Sequence, residues 1–90
     1  MTESNLSRFL KRALKQHDHL SQDEQVKKLV EVCNSFTDVP LSEKIGDLAI
    51  LYLQQEFGDD RPPRRELDFL KRIIRITIDK LYVNSRVSPE

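Results

Sequence analysis

Ninety residues in this order predict an all-α protein, an antiparallel up-down four-helix bundle. Apolar residues recur at three- and four-residue spacing in four separate stretches. The connections between those stretches run about three to six residues, short enough to return each helix beside its predecessor. Two glycines and four prolines are too few for the many tight turns of an all-β chain. A chain this short holds one hydrophobic core, and no internal repeat or low-complexity tract divides it. The bundle is expected over residues 1–83, with 84–90 a flexible C-terminal tail.

The first helix is expected over residues 5–17. Leu6, Phe9, Leu10, Ala13, Leu14 and His17 share one face, and Arg8, Lys11, Arg12 and Lys15 form the opposite stripe. Such a basic back can lie on a membrane, but a solvated bundle face is the commoner use. The second helix opens at Ser21, because Ser21-Gln22-Asp23-Glu24 has the form of a capping box. Val26, Leu29, Val30, Cys33 and Phe36 follow as its inward face, with Val32 at the edge and an end near 35–37.

The third helix begins after Val39-Pro40, with Asp38 or Ser42 as its cap and Pro40 tolerated in its first turn. Leu41, Ile45, Leu48, Ala49 and Tyr52 form a stripe that Ile50, Leu53 and Phe57 widen. An apolar arc that broad predicts neighbours on two sides and makes this the most buried helix. Gly58 suits the residue just past a helix end. Asp59-Asp60-Arg61-Pro62-Pro63-Arg64 is the clearest loop, and either proline can open the fourth helix, expected from about 63 to 82 or 83. Leu67, Leu70, Ile74, Ile78 and Leu81 make its main stripe, and Phe69, Ile73 and Ile76 a second. That second stripe is either further core or an exposed groove for a partner helix or a homodimer seam.

The inventory of catalytic groups is nearly empty. His17 and His19 lie two residues apart, which turns them to different helix faces and fits no common metal motif. The only glycines, Gly46 and Gly58, cannot build a phosphate-cradling loop. No Glu-x-x-His pair offers ligands for a di-metal bundle site. A single Cys33 forms no internal disulfide and reads as a small hydrophobe in a reducing compartment. No catalysis, cofactor or metal is therefore expected. The apolar run at 48–53 is too short to span a bilayer, and the N-terminus has no signal-peptide pattern. A cytoplasmic protein is the expectation.

The formal net charge is zero but unevenly spread. Residues 1–20, 21–60 and 61–90 carry +2, −6 and +4. Intramolecular complementarity between helices explains this, and so does a basic C-terminal surface for an acidic partner or an anionic inner membrane face. Arg61, Arg64, Arg65, Lys71, Arg72 and Arg75 cluster in sequence, which raises nucleic acid as a partner. A pI near 6.7 argues against it, since binding domains usually exceed about 9. The loop at 58–64 is too long and proline-rich for a helix-turn-helix, and no aromatics interleave with the arginines to stack bases.

Val39-Pro40-Leu41, the helix carrying Ile45 and Leu48, then Leu67-x-x-Leu70-x-x-x-Ile74 and Leu81-Tyr82 resemble the immunity proteins of pediocin-like bacteriocins, the enterocin A immunity family. The resemblance covers roughly residues 20–82. It implies a cytosolic antiparallel four-helix bundle that protects its producer. Such proteins act at the inner membrane face, recognising the bacteriocin bound to its receptor, the mannose phosphotransferase permease. In that family the C-terminal half sets which bacteriocin is recognised. By position, this implies contacts from Arg61, Arg64 and Arg65 in and after the loop, Arg72 and Arg75 on the fourth helix, and Tyr82, Asn84 and Arg86 at its end. The tail after Tyr82 is shorter than in many members, which puts contacts assigned to the tail in doubt. The rival expectations are a helical adaptor or regulatory subunit presenting the fourth helix to a protein partner, and a nucleic-acid binder. Monomer and homodimer both remain open.

Overall fold

The computed structural model of the chain describes residues 4–16, 19–59 and 61–87, the last three by backbone alone. It contains four helices: α1 (Asn5–Gln16), α2 (Gln22–Ser35), α3 (Leu41–Phe57) and α4 (Arg64–Val87). The expected place of His17 on the first helix lies outside the described residues.

Each start has a local cause. At α1, Ser4 Oγ accepts from the Ser7 N–H at 3.1 Å and donates to Asp47 Oδ2 at 2.9 Å, so one side chain caps α1 and ties it to α3. At α2 the capping box is present. Glu24 N–H donates to Ser21 Oγ at 3.4 Å, and Ser21 N–H donates to Glu24 Oε1 at 3.3 Å. The backbone and hydroxyl of Ser21, in that order, hold the Glu24 carboxyl below its usual range. Neither Asp38 nor Ser42 caps α3. Pro40 itself is the cap residue, with no side-chain bond, and its carbonyl accepts from Glu43 and Lys44 at 3.0 and 3.1 Å. Pro63 plays the same part for α4, accepting from Glu66 and Leu67 at 3.0 and 3.1 Å.

The ends differ more from expectation. Gly58 does terminate α3, but in extended backbone (φ −81°, ψ 171°), not the left-handed conformation common at helix ends. Glycine is needed there for space, since a Cβ would press on the Gln54 carbonyl oxygen. α4 continues to Val87, beyond the expected 82 or 83, so residues 84–87 belong to the helix and not to a tail. No glycine or proline interrupts it before Pro89.

Packing follows the ring α1–α2–α4–α3: α1 and α4 each pack on both α2 and α3. Direction alternates along the chain, with the Phe9 ring beside Phe36 and the start of α4 beside the end of α3. Short connections led us to expect every consecutive pair side by side. α2 and α3 instead sit across the bundle, joined through a turn at 36–39 in which the Val39 N–H donates to the Phe36 carbonyl at 3.2 Å. The molecule measures 44 × 32 × 18 Å, about two helices deep in its thinnest direction.

The core is built from Leu6, Leu10 and Ala13 of α1, Val26, Leu29 and Cys33 of α2, Leu48 and Leu51 of α3, and Ile73, Ile74 and Leu81 of α4. Both α4 stripes are core: Ile73 is buried, and Phe69 and Ile76 pack against the cluster. Buried Thr77 lies between them and donates its hydroxyl to the Ile73 carbonyl at 2.8 Å. Phe9, expected on the inward face, sits at the rim at 46% exposure. Its ring meets Phe36 edge-on at 5.4 Å, and the Arg12 guanidinium lies 5.6 Å from its centre.

α3 is the main correction. It is not the most buried helix, for only Leu48 and Leu51 are enclosed. Ile50 and Leu53 are each 47% exposed and Phe57 is 75% exposed. α3 packs on α1 and α4, and these two neighbours cover only the half of its circumference that carries Leu48 and Leu51. The inward half of its apolar arc is therefore core, and the other half faces solvent.

Candidate functional site

α3 and α4 run side by side with their outward faces uncovered, and an open groove of about 330 Å³ lies between them. Ala49, Tyr52 and Leu53 line one wall, and Ile74 and Ile78 the other. Lys71, Arg75 and Asp79 stand at its rim. Towards the loop the groove gives way to a polar cluster, where Tyr52 and Glu56 of α3 meet Arg64, Asp68 and Lys71 of α4. The hydrogen bond that Tyr52 donates to Glu56 holds its phenol above the usual range, with burial and the Glu56 charge adding to the shift. In this cluster acidic α3 meets basic α4.

The expected contact residues divide into two groups. With 3.6 residues per turn, Arg64, Arg72, Arg75 and Tyr82 share the outward face of α4, and Arg65 stands at its edge. All five are exposed, Tyr82 to 50%. Arg61 is exposed in the preceding loop. Asn84 is also exposed but falls on the other side of α4, beyond the last core residue Leu81. Arg86 lies in the final turn of α4. The outward face is basic without being uniformly so, because Asp68 and Asp79 are interleaved with the arginines. Arg64 and Asp68 approach to 3.7 Å, an exposed pair worth little to stability.

The sequence reading missed the groove and the apolar surface beside it. Ile50, Leu53 and Phe57 continue outward from the groove wall across α3. The signal was present: a 17-residue helix that is apolar around most of its circumference cannot bury every side in a four-helix molecule.

This arrangement suits recognition of a surface. Its floor is apolar, its rim is charged, and it is open to solvent. Among the described residues, no three His, Cys, Asp or Glu side chains come together as a metal site. No described helix is long and apolar enough to cross a membrane. Burial pushes the Cys33 thiol up to about 11, which leaves it protonated and unreactive at neutral pH. No family model, curated protein or solved structure matches this chain.

Proposed function

We propose that this chain works by binding another protein through the face shared by α3 and α4, without cofactor and without catalysis. The observation that carries this reading is the groove itself. An apolar floor rimmed by Lys71, Arg75 and Asp79 combines buried-area affinity with charge selectivity. Nucleic acid suits this face less well, since Asp68 and Asp79 would stand against a phosphate backbone.

Within that class we propose a bacteriocin immunity protein, acting in the cytoplasm at the inner membrane face on a bacteriocin–permease complex. The resemblance over residues 20–82 supports it, as does the four-helix architecture. Arg64, Arg65, Arg72 and Arg75 supply a basic outward face suited to an anionic leaflet. The test is protection. Expressed in a bacteriocin-sensitive lactic acid bacterium and challenged with a panel of pediocin-like bacteriocins, the chain should confer resistance to one or two. Soluble expression with no protection across the panel would remove this reading.

The adaptor reading is favoured by a separate observation, the exposed Ile50, Leu53 and Phe57. It survives in altered form, with α3 and not α4 as the helix presented to a partner.

A further inference from the structure

We propose that the chain forms a homodimer in which α3 packs antiparallel against α3 of a second copy. The outward face of α3 carries Gly46, Ile50, Leu53 and Phe57 at spacings of four, three and four, the seam pattern of paired helices. Ile50, Leu53 and Phe57 are among the most exposed large apolar side chains in the molecule. The seam is self-complementary about one two-fold axis lying between Leu51 and Tyr52 in sequence. Antiparallel pairing sets Gly46 opposite Phe57 of the second copy and Ile50 opposite Leu53. The smallest residue thus faces the largest. The room exists, because nothing stands within 4 Å of where a Cβ on Gly46 would point. A closed two-fold contact uses the same patch twice, and this patch has that property.

Charge permits the same occupant. The formal net charge is zero, so two copies approach without overall repulsion. Antiparallel pairing keeps Glu43 of one copy away from Glu43 of the other and sets it by the mixed-charge sequence Asp59-Asp60-Arg61 that follows the helix. It also places Asp47 beside uncharged Gln54 and aligns the helix dipoles favourably. Parallel pairing would set Glu43 against Glu43, Asp47 against Asp47 and Phe57 against Phe57. A seam of 17 residues is about 25 Å long, which puts the buried area at the low end of specific interfaces. The association is accordingly weak, in the micromolar range.

Sedimentation over a series from low micromolar to millimolar protein tests this, independently of any protection assay. The chain should shift from monomer to dimer. Leu53→Lys should remain monomeric throughout, with helicity and melting temperature unchanged in dilute solution. Gly46→Leu separates association from folding. It fills the space that Phe57 of the second copy needs and should weaken the dimer at least tenfold. It should also raise the melting temperature of the dilute protein, because a helix-interior glycine is removed. Mixing a Gly46→Cys protein with a Phe57→Cys protein should give the mixed disulfide in preference to either like pair. A monomer at millimolar concentration, unchanged association in Leu53→Lys, or like-with-like crosslinks alone would each overturn the proposal.

Discussion

Ser21 and Glu24 hold the start of α2 by reciprocal bonds, and the motif was readable because it lies within four consecutive residues. Ser21→Ala should cost about 1 kcal/mol, measured as a shift in the urea midpoint. The pH dependence has a definite sign. Glu24 titrates below its unfolded value, so its contribution is present above the ordinary carboxylate range and is lost as pH falls through the lowered folded value. The gap between wild type and Ser21→Ala should therefore narrow in acid. A gap that widens would contradict the pairing. Cys33 makes a second prediction. A disulfide reagent should label it slowly in native protein and rapidly in denaturant, and fast native labelling would show the thiol is not enclosed. Cys33 was readable as core from helical spacing. The bond from Ser4 to Asp47 was not, since 43 residues separate the partners and only tertiary packing brings them together.

Helix existence was legible throughout, because each stretch has its own periodicity and its own punctuation. Orientation was legible only where the apolar stripe is narrow. α1 and α2 present such stripes, and Leu6, Leu10, Val26 and Leu29 are buried as expected. α3 is apolar nearly all round, and spacing alone cannot say which half is covered. That depends on where α1 and α4 lie. One pair of substitutions tests the assignment within this element. Leu48→Ala should cost about 2–5 kcal/mol as a buried large-to-small change. Leu53→Ala, five residues on, should change the stability of dilute protein by no more than about 0.5 kcal/mol. Similar losses from both would place α3 at the centre after all. α4 shows the converse case. Its two stripes read as rivals in sequence but form one broad buried face, because α2 and α3 both pack on it.

Across the molecule, the segment charges of +2, −6 and +4 have two consequences. Basic α4 packs between the more acidic α2 and α3, and its remaining arginines face solvent beside the groove. The ring order α1–α2–α4–α3 was beyond the reach of connection lengths, since a short link can cross a two-layer bundle as well as follow its edge. That order decides which helix faces are left uncovered. It leaves α3 and α4 adjacent with their outer faces free, while Arg8 and Lys15 sit exposed on α1, the helix diagonal to α4 in the ring. The most direct measurement compares two charge-reversed proteins in the bacteriocin-challenged strain, each checked for unchanged fold and expression. Wild type should protect under the proposed function, and Arg72→Glu with Arg75→Glu should abolish that protection. Arg8→Glu with Lys15→Glu should leave it intact. Protection that survives the first pair, or is lost equally with both, would contradict a working surface on α3 and α4.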